Sequence, residues 1–343
     1  MLDEQHRALL VGCGSISGVW LDAAQTIADL KIVGLVDLDQ AVAAQRAGEY
    51  KLHEALISTD LEQALEVTRP DIVFDCTVPE AHHFVRLTAL DHGCHVLGEK
   101  PLADSLAHAE EIVNAARRTD RRCTVTQNYR YRPGIRRLQR FLASGALGRI
   151  TTVHSDFFIG AHFGGFRNQM EHVLLLDMAI HTFDAARMLT SADPQAVLCH
   201  EWNPPGSWYD HDASAVAIFE MTDGIVVTYR GSWSAEGLNT PWNSEWHIIG
   251  ERGSVTWDGE DGFDAEVVTE TGGFFSETET VDVLETVDAT KVDGHASIMR
   301  EFLDCMRTGA TPETNCADNL KSLAMVFRAI ESAERGEKIR FNV

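Results

Sequence analysis

No apolar run in this chain of 343 residues is long enough to cross a bilayer. The first residues, Met1-Leu2-Asp3-Glu4, carry acids where a secretion signal needs a basic and then an apolar segment, so a cytoplasmic protein without a signal peptide is expected. Cations are scarce: 29 lysines and arginines face 52 aspartates and glutamates, for a formal net charge of -23. That balance argues against nucleic acid and against an anionic membrane as partners. The 7 cysteines are scattered and odd in number, with no close Cys-x-x-Cys pair, which points to reduced thiols and away from a structural zinc site. Internal repeats and low-complexity tracts are lacking as well.

What is present is an ordinary globular composition, 44% hydrophobic and 24% charged, long enough for two domains with separate cores. The first half alternates strand and helix patterns. Ala8 to Val11 is a short apolar run, followed by Gly12-Cys13-Gly14-Ser15-Ile16-Ser17-Gly18 and a helical stretch to Asp29. A second apolar run, Ile32 to Val36, ends at Asp37. Strand, glycine turn, helix, strand and acid form the pattern of a dinucleotide site. Gly12 permits the tight turn, Gly14 lets a pyrophosphate approach the helix start, and Asp37 stands where an acid binds a ribose hydroxyl. Asp37 and Asp39 would repel a 2′-phosphate, which favours NAD over NADP, with Arg46 the candidate cation for the opposite preference. Further strands are expected at Asp71–Cys76, Val96–Leu97 and Cys123–Gln127. In a doubly wound parallel sheet ligands lie beyond the strands' carboxyl ends, and Gly12, Asp37, Thr77, Glu99, Lys100, Gln127 and Asn128 all fall there.

The second half reads differently. A basic amphipathic helix, Gly134 to Ser144, is expected to present a solvated arginine face. Ile150–Phe158 reads as a strand, Ala213–Met221 and Ile225–Trp233 as a hairpin turning at Asp223-Gly224, and Trp246–Gly250 with Ser254–Trp257 as another. A mainly antiparallel sheet thus follows a parallel one, and helices His295–Arg307 and Leu320–Arg335 close the chain. The stretch Val173–Leu189 is apolar nearly all round, which predicts a buried helix, yet Asp177 and His181 share one face of it and Asp184 continues the stripe. Buried ionisable groups need partners or a cleft. A metal bound by His172, Asp177 and His181 is considered and not expected.

Taken together, Gly12-Cys13-Gly14, Asp37, His83, the run from Gly93 to Glu99-Lys100-Pro101, Asn128-Tyr129-Arg130-Tyr131 and Asp177-x-x-x-His181 resemble the Gfo/Idh/MocA family. The resemblance implies an α/β protein: a Rossmann domain, here 1–126, and an α+β domain, here 127–343, with a large open sheet that forms homodimers or homotetramers. The terminal helices are expected to pack back toward the Rossmann domain. It implies a catalytic set of Lys100, Asp177 and His181. Gly12, Cys13, Gly14, Ser15, Ile16, Asp37, Thr77, His83, Glu99, Lys100 and Asn128 are expected to bind NAD. Substrate contacts are expected from Arg130, Tyr131, His162, His172 and Trp242. Where many members carry a glycine cluster before the Asp-x-x-x-His helix, this chain has Glu171-His172-Val173-Leu174.

The expected activity is hydride transfer between a secondary alcohol of a sugar, cyclitol or polyol and the nicotinamide. Histidine suits the proton transfer by its near-neutral pKa, and a lysine by stabilising negative charge on the reacting oxygen. Which of His181 and Lys100 takes the proton is open at this point. Two rivals are an NAD-dependent glycosidase of the same fold and a non-catalytic NAD-binding sensor.

Overall fold

The computed structural model describes residues 5–284 and 287–341; residues 1–4, on which the reading of the N-terminus rested, lie outside them. In chain order the elements begin β1 (His6–Val11), α1 (Ile16–Gln25), β2 (Leu30–Val36), α2 (Gln40–Glu49), β3 (Leu56–Ser58) and α3 (Leu61–Thr68). They continue β4 (Ile72–Asp75), α4 (Pro79–Asp91), β5 (His95–Gly98), α5 (Leu106–Thr119) and β6 (Cys123–Val125). After α6 (Pro133–Ala143) and β7 (Ile150–Phe158), a π-helix (Leu174–Ala179) runs into α7 (Ile180–Thr190). Then come β8 (Pro194–Trp202), β9 (Ser214–Met221), β10 (Val226–Ser232), β11 (Glu245–Gly250), β12 (Gly253–Trp257), β13 (Phe263–Glu270) and β14 (Glu277–Thr280). Last are α8 (Gly294–Thr308), α9 (Cys316–Arg335) and β15 (Ile339–Arg340).

These elements form two units, residues 1–128 with 293–320 and residues 129–292 with 321–343. In the first, six parallel strands run in the order β3-β2-β1-β4-β5-β6. The order reverses between β1 and β4, which opens a crevice beyond the strand ends. Strands buried on both faces need continuous apolar sequence, and Ala8, Leu9 and Leu10 of β1, with Ile72 and Val73 of β4, are fully buried. α8 packs on α1, with His295 edge-on to Trp20 and Arg307 paired with Asp29.

The second unit holds nine strands in the order β14-β13-β12-β11-β7-β10-β9-β8-β15. Every pair is antiparallel except β7 with β10, as the expectation of a mainly antiparallel sheet allows. One face of the sheet is covered: Phe183 of α7 packs on Phe219 and Tyr229, and a Cβ on Gly134 of α6 would sit 2.1 Å from Trp257. The other face carries exposed Leu198, Trp202 and Ile218. Two details depart from expectation. The arginine face of α6 is only partly solvated: Arg140 is exposed, but Arg136 is buried against the Tyr131 ring and Arg137 reaches Phe263 and the Val283 carbonyl. The helix around Asp177 is also not uniformly α, since its first stretch is wound as a π-helix. No helix among the described residues is long and apolar enough to cross a membrane.

Candidate active site

In the first unit the Gly12–Ser15 loop joins β1 to α1. Gly12 has φ +88°, and a Cβ there would collide with the Cys76 backbone at 2.7 Å, so both conformation and space demand glycine. At Gly14 a Cβ would meet no protein atom within 4 Å. Backbone at that point is open to a ligand. Ser15, the N-cap of α1, makes no side-chain cap, so no serine oxygen competes for the helix's first N–H groups. The Asp37 carboxylate accepts the Cys13 amide at 2.7 Å and the Asp39 amide at 3.0 Å, which anchors the acid at the loop. A cavity of about 700 Å³ opens here, lined among others by Gly12, Gly14, Asp37, Leu38 and Thr77. Arg46 donates to the Gly14 carbonyl and pairs with Glu49. The Cys13 thiol, pushed up to about 12 by burial and by Asp37, is a filler and not a nucleophile. These features fit a dinucleotide.

The turn after β5 carries Glu99, Lys100 and a cis Pro101. Glu99 is buried: its Oε1 accepts Trp20 Nε1 at 2.7 Å and lies 3.1 Å from His295 Nε2, and its Oε2 accepts the Lys100 amide. Burial alone would raise its pKa, but the His295 hydrogen bond and charge, with Trp20 and Lys100, hold the carboxyl below the usual range. The backbone around Lys100 is clamped from beneath by Arg86, which donates to the Glu99 carbonyl at 2.6 Å and the Leu102 carbonyl at 2.8 Å. Arg86 is fully buried and meets Asp75 at 2.7 Å. Burial pushes the Asp75 carboxyl up, yet the charges of His82 and Arg86 and the Thr77 hydrogen bond outweigh it and leave the carboxyl ionised below its ordinary value. Gly98 makes the clamp possible, since a Cβ there would lie 2.7 Å from the guanidinium.

Of the two adjacent histidines on α4, it is His82 that faces the loops, 2.8 Å from the Pro101 carbonyl and 3.1 Å from that of Thr77. His83, the one singled out from the sequence, pairs with Glu111 at 2.7 Å and stacks on His108 at 4.0 Å. At the end of β6 the Gln127 amide and Asn128 Oδ1 are buried with no hydrogen-bond partner among the described residues, so they stand ready for a polar ligand.

In the second unit the π-helix supplies Asp177 and the start of α7 supplies His181. Asp177 accepts Arg167 Nε at 2.8 Å, and the guanidinium is flanked by the Phe163 and Phe166 rings at 4.9 and 5.0 Å. His181 is buried and stacks on Tyr129 at 4.5 Å with the rings 20° apart. Burial, opposed by Arg132 and aided by Asp177, pushes Tyr129 up to about 12, so it stays neutral beneath the imidazole. Asp184 does not join Asp177 and His181. It takes a two-point contact from Arg130, at 2.6 and 2.7 Å, and the Ser322 hydroxyl at 2.6 Å, all buried.

The remaining substrate candidates divide. Arg130 is committed to Asp184, and Tyr131 is fully buried under Arg136. Trp242 is half exposed in a cluster with Phe157, Phe163 and Trp233. His162 stacks on Trp208 at 3.6 Å and meets Glu236 at 2.8 Å. His172, with φ +50°, meets Glu201 at 2.7 Å and lies 3.7 Å from Glu334. The run His162-Phe163-Gly164-Gly165-Phe166-Arg167 reads in the sequence as a glycine-hinged loop near the pocket, but nothing there marks Arg167 as the partner of Asp177. His82 and Arg86 were hidden by burial, although their i, i+4 spacing on α4 was readable.

Residues 6–127 match the model of the oxidoreductase family with NAD-binding Rossmann fold, and residues 135–256 match the Gfo/Idh/MocA C-terminal domain. An uncharacterised Sinorhizobium fredii protein, y4oX, is 27% identical over 98% of this chain and 95% of its own. D-apiose dehydrogenase of Paraburkholderia graminis is 24% identical over 98% and 90%. An oxidoreductase from Agrobacterium radiobacter, crystallised with NAD+, L-tartaric acid and magnesium, superposes with a TM-score of 0.85 at 20% identity, covering 98% of each chain. With one family model seated in each unit and relatives matched along nearly the whole length, the chain belongs to the Gfo/Idh/MocA family of oxidoreductases and carries its NAD-binding Rossmann fold.

Proposed function

We propose that this protein is an NAD-dependent dehydrogenase of a sugar, cyclitol or related polyol, and that Lys100, Asp177 and His181 are its catalytic set. Gly12, Cys13, Gly14, Ser15 and Ile16 would hold the diphosphate at the start of α1, Asp37 the adenosine ribose, and Thr77, Glu99 and Asn128 the nicotinamide half, whereas His83, turned to Glu111 and His108, is left out of the site. When bound, the cofactor supplies the hydride acceptor. As the carbinol C–H bond breaks, His181 takes the hydroxyl proton at Nε2, its Nδ1 being buried. Lys100 hydrogen-bonds the same oxygen and stabilises its developing charge. Asp177 orients a neighbouring hydroxyl, and the Arg167 guanidinium fixes the carboxylate in place.

The observation that carries this reading is the pairing of an acid and a histidine on one largely buried helix, each held by a dedicated neighbour, Arg167 for Asp177 and Tyr129 for His181. The open sheet face with Leu198, Trp202 and Ile218 supports a homodimer or homotetramer formed through that face. The acidic composition and the scattered cysteines support a cytoplasmic location.

A panel of sugars, sugar acids and cyclitols with NAD, followed by NADH absorbance, tests the proposal. Net NADH from a polyol is the expected result. Cleavage of an aryl glycoside without net NADH would replace the reading with a glycosidase. Silence across the panel with retained NAD binding would replace it with a sensor.

A further inference from the structure

Cys123 and Cys316 are far apart in sequence and side by side in the first unit. Thr124 and Asn315 form an antiparallel bridge, and the Val125 amide donates to the Thr314 carbonyl at 3.0 Å. The next opposed positions along that pairing are Cys123, on β6, and Cys316, the first residue of α9. Opposed residues of an antiparallel pair lie about 4.5–5.5 Å apart at Cα, within the span a disulfide bridges without backbone movement. Both residues also line one cavity of about 300 Å³, whose wall includes Arg117, Arg121 and Arg122.

We propose that Cys316 and Cys123 form an oxidisable dithiol, with Cys316 as the attacking thiolate, Cys123 as the resolving thiol, and a hydroperoxide entering through this cavity as the oxidant. The environment distinguishes the two sulfurs from those of Cys13, Cys76, Cys94 and Cys199. Cys316 is held below the ordinary thiol value first by the neighbouring Cys123 thiol, against burial, and then by the charge of Arg86 and backbone groups at the start of α9. Cys123 is pushed well above it by Cys316 and by burial, so it keeps its proton until the second step. Burial raises Cys13, Cys76, Cys94 and Cys199, which makes them poor nucleophiles.

In the first step the Cys316 thiolate attacks one oxygen of hydrogen peroxide. The O–O bond breaks, Cys316 becomes a sulfenic acid, and hydroxide leaves and takes up, as water, the proton that Cys316 had released. In the second, the Cys123 sulfur displaces the hydroxyl from Cys316, and its proton leaves with that hydroxyl as water. Two thiols lose two electrons to the peroxide, and one S–S bond and two waters form.

The test uses the full-length protein, treated with hydrogen peroxide, quenched with N-ethylmaleimide in denaturant, digested and read by mass spectrometry. A cross-linked peptide pair containing Cys123 and Cys316, lighter by two hydrogens and restored by dithiothreitol, is expected, with the other five cysteines of the seven fully alkylated. Cys316 is expected to react about tenfold faster than Cys94 or more. In Cys123→Ser the sulfenic acid on Cys316 should persist and be captured by dimedone, while Cys316→Ser should leave Cys123 reduced. Full alkylation of Cys316 at a peroxide dose that oxidises glutathione in the same tube would overturn the proposal. A disulfide between any other pair would overturn it too. Because the decisive arm uses the unaltered protein and no sugar, it is independent of whether the proposed dehydrogenase reaction is found.

Discussion

Among the described residues, each unit has a buried arginine–aspartate pair close to a proposed catalytic residue, Arg86–Asp75 and Arg130–Asp184, and the two pairs are used differently. In the first unit Arg86 spends one nitrogen on Asp75 and the other two on the carbonyls of Glu99 and Leu102, so it fixes a loop backbone on both sides of Lys100. In the second unit Arg130 gives a two-point contact to Asp184, three residues beyond His181, and so fixes a helix side chain. The first arrangement positions a lysine through the main chain that carries it. The second positions a histidine through the helix it sits on. A loop has no internal hydrogen-bond ladder to hold its shape and needs an external clamp, whereas a helix needs only to be held in place.

The largest effect expected is from Lys100→Ala: kcat/KM should fall on the order of 10³-fold while NAD affinity, measured by fluorescence titration, changes little. A normal rate would remove Lys100 from the catalytic set. Next, Arg86→Leu and Arg130→Leu should each lose about 3–5 kcal/mol in denaturant unfolding, because each strands a buried carboxylate. The comparison sharpens when Asp75→Asn is added to Arg86→Leu. Stability should recover in part, but the rate should not, since the clamp on the Lys100 loop is still missing. If rate recovers with stability, the two pairs are equivalent and the contrast drawn above fails.

A smaller effect is expected at the cofactor. Asp37→Ser should raise KM for NAD about 10–100-fold, the loss of a charge-assisted hydrogen bond of about 1.5–3 kcal/mol, and should improve use of NADP. The smallest concerns His172. Its pKa is raised, first by the Glu201 hydrogen bond against partial burial, and burial raises that of Glu201 in turn. Two groups with raised folded-state values hold their protons more tightly than in the unfolded chain. The contribution of His172 is therefore complete below its unfolded value of about 6.5 and declines as pH rises through the folded one, while that of Glu201 is lost from the unfolded carboxyl value of about 4.3 upward. Melting temperature should fall by about 2–4 °C more between pH 6 and roughly pH 8 in the wild type than in His172→Gln.

Most of the first unit was readable in the sequence because its signals are local. Apolar runs, a glycine turn and an acid at the next strand end identify β1, α1, β2 and Asp37 without knowledge of anything distant. The hairpins of the second unit were readable for the same reason, through alternation and the Asp223-Gly224 turn. What escaped reading is set by side-chain packing that no periodicity or motif marks. Nothing local distinguishes His82 from His83; the choice is made by which side of α4 meets Pro101. Nothing local reveals that Arg136 lies over Tyr131, that Arg167 reaches Asp177, or that Cys316 returns beside Cys123.

The π-winding of Leu174–Ala179 has an evolutionary corollary. A π-turn accommodates one residue more than an α-turn, so deleting one residue there other than Asp177 would let the segment relax into ordinary α geometry. Because the wide turn absorbs the extra residue, the helix on either side keeps its facing, and only side chains within the turn shift. Loss of Met178 or Ala179 would thus bring the acid one position nearer to His181 along the chain, a change of reach made by length alone with both side chains retained.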